Sequence, residues 1–226
     1  LHGRLRRGEE DPAKYGLEKA PENDELIVLY EPKISHSTKI ETFDRYQTEV
    51  DVPIPVLAGL VGSEPQEVDD LALAVYDVMI KDAEKAGLFI VADGKVEMIM
   101  GPDRKIYVGD TGYSWDENRL LWEFPDGSFV DISKQFPRNI YAIRGYKGEI
   151  TKAKKEFPKD KSRWPDPPLL DDNQIGIMTD ANEAVRMAIL GEKGAERAVK
   201  DVAYRAKDEL ERLKELYKRD ETGAEI

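Results

Sequence analysis

Asp93, Lys95 and Glu97 occupy alternate positions in the run Ala92-Asp93-Gly94-Lys95-Val96-Glu97, and a little further on the chain reads Val108-Gly109-Asp110. Carboxylate oxygens are hard ligands that suit Mg2+, and a lysine beside them suits a phosphate held by the same ion. Side chains two apart on an extended chain share a face, so a strand over residues 89–100 would have one ionic and one apolar face. Gly101-Pro102-Asp103-Arg104 reads as a turn and residues 105–110 as the returning strand, which predicts a hairpin with Asp110 within reach of Lys95 and Glu97. The chemistry such a surface serves is that of a nucleotide phosphate. An antiparallel pair with one wet face alternates in the same way without any function. The continuation favours function: residues 111–119 place Tyr113, Trp115 and the pair Asp116 and Arg119 directly after the second strand. A merely solvated edge needs no aromatics there.

The elements that must position these residues are legible in outline. Val68, Leu71, Val75 and Met79 fall at helical spacing and predict a helix over residues 65–87, stopped by Gly87 and leading into the Asp93 strand. Ser63 and Gln66 have the spacing of a capping box for it. Residues 25–30 read as a short strand closed by Glu31-Pro32. Residues 120–124 and 128–132, around Pro125-Asp126-Gly127, read as a second hairpin. Residues 152–172, rich in lysine and proline, suit a surface connection. Helices are predicted over 181–190 and 195–219, the second with Val199, Val202, Ala206, Leu210 and Leu213 on one stripe. Trp115 and Trp122 read as packing residues. The expected architecture is α+β, a mostly antiparallel sheet packed by helices, with a binding core over 1–150 and a helical region over 151–226 packed on it.

Composition narrows the possibilities. The chain has 226 residues, 40% of them hydrophobic, enough for one good core or two small ones. Its 46 acidic residues outnumber 34 basic ones, for a formal charge of −12. That balance argues against a general nucleic-acid binder, which needs a broad basic face. A chain acting on anionic substrates must therefore gather its basic residues locally, and Arg4, Arg6, Arg7, Lys39, Arg45, Lys95 and Arg119 are the candidates. No apolar run reaches membrane-spanning length and no secretory signal pattern is present, so no membrane partner is expected. The absence of cysteine excludes disulfides and thiolate chemistry and accords with a cytoplasmic protein.

These residues resemble a family, the phosphoribosylaminoimidazole-succinocarboxamide synthetases of purine biosynthesis, or SAICAR synthetases. Its members carry a strand reading Asp-x-Lys-x-Glu, a hairpin return ending in Gly-Asp or Ala-Asp, and an Asp-x-x-Arg shortly after. Here these stand as Asp93/Lys95/Glu97, Asp110 and Asp116/Arg119, and the wording Asp116-Glu117-Asn118-Arg119 resembles the longer archaeal form. Leu5-Arg6-Arg7 with Asp11-Pro12 and Gly16, and Glu31-Pro32 through Asp44-Arg45, fall in family order. So do the 65–87 helix, Asp131-Ile132-Ser133-Lys134-Gln135, and the stretch around Pro165, Pro167 and Pro168.

The resemblance implies an ATP-dependent ligase, with Mg2+, that phosphorylates the carboxylate of carboxyaminoimidazole ribotide and lets the amine of L-aspartate displace the phosphate. It implies that Glu97 and Asp110 bind the metal, that Lys95 contacts the ATP phosphates, and that Asp93 faces the ribotide and a second Mg2+. Asp116 and Arg119 would hold the ribotide, with Arg4, Arg6, Arg7, Lys39, Asp44 and Arg45 on the substrate side. The sequence departs from the family at Gly3-Arg4, where a serine is usual, and at Lys33-Ile34-Ser35, where Pro-Ile-x-Glu has lost its glutamate. Family members also carry an upstream β-rich lobe over ATP. Its absence from this sequence predicts weak activity alone, and a homo-oligomer or a partner that supplies the lobe. Two other functions stay open: a Mg-ATP phosphotransferase with a different acceptor, and a degenerate, non-catalytic subunit.

Overall fold

The computed structural model describes residues 5–21, 27, 29, 32, 34, 65–88, 90–91, 94–109 and 114–226. The chain divides into two compact units, residues 1–73 and 74–226. In the first, Leu5 is buried, and Pro12–Tyr15 forms one 3-10 turn capped by the Asp11 carboxylate, which accepts from the Ala13 amide at 3.0 Å. The expected strand at 25–30 and the capping residue Ser63 lie outside the described residues, apart from Ile27 and Leu29, which are not in a strand. Gln66 Nε2 donates to Asp70 Oδ1 at 2.8 Å.

Helix α1 spans Pro65–Lys85. It stops where the sequence predicts: Leu88 N–H donates to Ala83 O at 2.9 Å and Gly87 N–H to Glu84 O at 3.0 Å. This is a Schellman closure, and Gly87 supplies the positive φ of +71° that it requires. Met79 and Ala83 of α1, and Ala86 just past its end, are buried in the core of the second unit.

That core is built on a three-stranded antiparallel sheet ordered β1-β4-β5, with β1 Ile90–Val91, β4 Leu120–Glu123 and β5 Phe129–Asp131. A separate two-stranded sheet pairs β2 Met98–Met100 with β3 Ile106–Val108. The α+β class and the antiparallel pairing are as expected, but the single strand over 89–100 is not. Its start pairs with β4 and its end with β3, and residues 94–97 between them belong to no strand. Gly94, which has no side chain to pack and is costly to order, sits where the chain changes partner.

Among the described residues four α-helices complete the unit: α2 Gln135–Ile143, α3 Tyr146–Glu156, α4 Asp172–Ile189 and α5 Ala195–Tyr217. The predicted stripe of α5 is buried throughout, from Val199 to Leu213. α5 packs on β4 and β5 and runs against α2 and α4. The β4–β5 turn is clamped to α5 by Lys207, whose Nζ donates to Ser128 Oγ at 2.8 Å and Asp126 Oδ2 at 3.2 Å and lies 4.2 Å from the Phe124 ring centroid.

Three expectations about this region need correction. α2 has no counterpart among the predicted elements and carries Pro137 in its first turn. At the third helical position its missing N–H has no intrahelical acceptor to lose. α3 occupies 146–156, and its last residues, 152–156, fall in the stretch read as a connection. It buries none of its residues and so shows no apolar period, but Glu149 in its first turn and Lys154 and Lys155 in its last suit the helix dipole. α4 begins nine residues before the predicted 181. Its signal is a capping box, with the Asp171 side chain on the Gln174 amide at 2.9 Å and the Gln174 side chain returned to the Asp171 amide.

One feature of the surface has no counterpart elsewhere on the described residues. Between 147 and 163, seven exposed cations (Lys147, Lys152, Lys154, Lys155, Lys159, Lys161 and Arg163) face only three acids, Glu149, Glu156 and Asp160. Lys154 and Lys161 lie 5.0 and 5.9 Å from the Trp164 ring centroid, and Arg163 lies 3.8 Å from that of Phe157. No helix among the described residues is long and apolar enough to cross a membrane.

Candidate functional site

The β2–β3 hairpin positions the acidic and basic groups. Its register sets Met98 opposite Val108, Ile99 opposite Tyr107 and Met100 opposite Ile106. Gly109 N–H donates to Glu97 O at 2.8 Å, so the ladder runs on past the strands to residues 97 and 109. The turn is closed by Gly101 N–H to Lys105 O at 2.8 Å. Tyr107 Oη donates to Asp103 Oδ2 at 2.8 Å, and with the Lys105 amide this holds the Asp103 carboxyl below its ordinary range. The same bond to Asp103 raises the Tyr107 phenol.

Antiparallel pairing gives Glu97, Ile99 and Tyr107 one common face. It is the open face, with Ile99 58% and Tyr107 47% exposed. The Lys95 ammonium donates to a Glu97 carboxylate oxygen, and the two side chains are 54% and 22% exposed. The predicted sharing of a face by residues 95 and 97 therefore holds, although these residues lie outside a strand.

The second part of the site is the turn 114–118. Its closure is double, since both the backbone N–H and the side-chain Nδ2 of Asn118 donate to Ser114 O, at 3.3 and 3.2 Å. Ser114 Oγ donates to Asp116 Oδ1 at 2.7 Å and fixes that carboxylate. Trp115 anchors the turn to the body of the unit: its Nε1 donates to Ile132 O at 2.6 Å and its carbonyl accepts from Lys134 N–H at 3.1 Å. The indole packs against the core, as the sequence implies. Arg119 is exposed, while Asn118 is fully buried.

The two parts meet at Gly94. A Cβ there would lie 3.3 Å from Met79 Cε and 3.5 Å from Asn118 Cγ, and closer still to Asn118 Oδ1. Nothing larger than glycine fits without displacing a neighbour, so the segment carrying Lys95 and Glu97 lies directly on the turn carrying Asp116 and Arg119. Sequence reasoning missed Asn118. Its position inside Asp-x-x-Arg drew attention only to the flanking charges, and burial is a tertiary property that local pattern does not carry.

Of the other predicted site residues, Arg6 and Arg7 belong to the first unit. Arg7 forks the Glu9 carboxylate through Nε at 2.6 Å and Nη2 at 3.0 Å, and Arg6 is exposed. Arg4, Lys39, Asp44, Arg45, Asp93 and Asp110 lie outside the described residues. Among the described residues no group of three or more acidic or histidine side chains forms a metal site. Glu97 is one hard oxygen ligand on an accessible face, which suits Mg2+ as part of a larger set.

Comparison with known proteins places these features in a lineage. Residues 15–153 match the SAICAR synthetase family. A phosphoribosylaminoimidazole-succinocarboxamide synthase of Thermoplasma acidophilum is 30% identical over 196 residues, covering 85% of this chain and 63% of the relative. That of Thermoplasma volcanium is 29% identical with the same coverage of both chains. The chain thus spans less than two thirds of the length of these relatives. No solved structure gives a significant match.

Proposed function

The chain belongs to the SAICAR synthetase family, and from that premise we propose that it serves purine biosynthesis as an ATP-dependent ligase joining L-aspartate to carboxyaminoimidazole ribotide. A carboxylate oxygen of the ribotide attacks the terminal phosphorus of ATP and ADP leaves. The amine of aspartate then attacks the acyl carbon, inorganic phosphate leaves, and the amine proton passes to solvent. Every reactant is anionic, so catalysis consists chiefly of neutralisation and alignment.

Glu97 and Asp110 are the ligands we assign to Mg2+, which when bound neutralises phosphate oxygens of ATP. Lys95 takes the phosphates themselves. In the free chain Lys95 and Glu97 satisfy each other. A magnesium triphosphate offers each a partner of the right sign, so the pair opens without stranding a charge. Asp93 faces the ribotide, Asp116 receives its amine and Arg119 its phosphate. Arg4, Arg6, Arg7, Lys39, Asp44 and Arg45 are assigned to the ribotide and aspartate side.

The observation that carries this reading is the accessible Lys95–Glu97 pair on a segment packed against the Asp116/Arg119 turn. Calorimetric titration of the chain with MgATP and with ribotide tests it. We expect Glu97→Gln to weaken MgATP about tenfold or more while sparing ribotide, and Arg119→Ala to do the reverse. Unchanged affinities in both variants would overturn the assignment, and binding of inositol phosphates in preference to ribotide would point to another acceptor.

A further inference from the structure

We infer that Asn118 is a positioning residue: through its close approach to Gly94 it sets the Lys95/Glu97 segment against the Asp116/Arg119 turn. The inference rests on the function proposed above, in which those two segments hold the two halves of one reaction.

Asn118 is the only fully buried residue of the 114–119 stretch, and it lies between two residues whose side chains reach solvent, Glu117 and Arg119. A buried amide must be held by specific bonds, and Asn118 Nδ2 adds one to Ser114 O beside the bond that the backbone N–H of the same residue makes to it. Ser114 in turn orients the Asp116 carboxylate through its hydroxyl. One side chain therefore shapes the loop that presents Asp116 and Arg119. The same side chain is what a Cβ on Gly94 would strike, with Met79 of α1 behind it.

Gly94 immediately precedes Lys95, so its distance from the turn sets where Lys95 and Glu97 stand relative to Asp116 and Arg119. An apolar side chain of equal size would fill the space, but it would leave the turn closed by the backbone N–H alone. Alanine would keep the backbone bond alone and leave the gap open. Phosphoryl transfer depends steeply on such distances: a misplacement of about 1 Å costs on the order of a hundredfold in rate.

The test uses Gly94→Ala, Asn118→Ala and the double variant in the full chain, with two readouts. Amide hydrogen exchange at Asn118 and Lys134, both donors that hold the turn, reports the contact without any ligand. Gly94→Ala is expected to speed that exchange, and in the double variant the added methyl is expected to cause little further change beyond Asn118→Ala alone, because the oxygen it strikes is gone and the end of the flexible Met79 side chain has to give only slightly. Unaltered exchange in Gly94→Ala, or additive effects in the double variant, would overturn the contact.

Ligand titration, at a temperature where each variant is folded, reports the function. Asn118→Ala is expected to weaken ribotide about tenfold, and to diminish the mutual enhancement between ribotide and MgATP. A loss of melting temperature with both affinities and their coupling intact would show a structural role only and overturn the inference. Failure of the unaltered chain to bind ribotide would sink the functional reading by itself, with the exchange comparison still deciding whether Asn118 sets the geometry.

Discussion

Glu209 is a carboxylate 5% exposed that accepts from Gln174 Nε2 at 2.7 Å, Arg212 Nε and Nη2 at 2.8 Å each, and Asn173 Nδ2 at 3.4 Å. Burial works to raise its pKa, but the hydrogen bonds from Arg212 and Gln174 and the charges of Arg212 and Arg144 outweigh it and leave the group below its ordinary value of 4.5. A carboxylate favoured in the folded state stabilises above that ordinary value, and the contribution disappears as pH falls below 4.5 through the folded value. Urea unfolding is expected to show Glu209→Ala less stable by about 2 kcal/mol at neutral pH, since it strands a buried Gln174 amide. The gap to the unaltered protein should narrow as acid protonates Glu209; a gap independent of pH would refute the ionic account. At this scale the sequence revealed the chemical types at the candidate site, because alternation of charge along residues 93–97 survives as the shared face of Lys95 and Glu97. It did not reveal Asn118 or Glu209, whose importance comes from what packs over them.

Among the elements, those with an apolar period were legible and those without were not. The α5 stripe and both hairpin turns fall where hydrophobic spacing and turn residues put them. α3 has no buried face and so left no periodic trace, and α2, with Pro137 in its first turn, has no counterpart among the predicted elements. The strand over 89–100 failed for a different reason: alternation persists through residues 94–97, but hydrogen-bonding partners are chosen by the sheet. α4 carried a legible sign, Asp171 three residues before Gln174. Asp171→Ala removes that cap and is expected to cost about 1 kcal/mol, read as a lower denaturation midpoint with an unchanged slope. A loss confined to noise would mean that the Gln174 amide finds another acceptor. In the β4–β5 turn, Asp126 has its pKa lowered to about 2 by the Ser128 hydroxyl and amide and then by Lys207. That turn should keep its clamp on α5 well into mild acid, which the chemical shifts of Ser128 through a pH titration can check.

For the molecule as a whole, the second unit rests on one core shared by the end of α1, strands β4 and β5, α2, α4 and α5. Ile140 is wholly enclosed there. Ile140→Ala should cost about 3 kcal/mol, a transfer loss plus an unfilled cavity, and lower the melting temperature accordingly. A change below about 1 kcal/mol would mean that the site collapses around the smaller side chain.

The cations between 147 and 163 make the molecule electrically lopsided, with a formal charge of −12 overall and a sequence pI near 4.8. Retention on a resin answers to the nearest patch more than to the sum of charges, because fields die away within about 10 Å at 0.1 M salt. At neutral pH and about 0.1 M salt this acidic protein should therefore be held back by a sulfonate column as well as by a quaternary-amine one, and leave the former early in a salt gradient. Lys154→Glu with Lys161→Glu should send it straight through the sulfonate column.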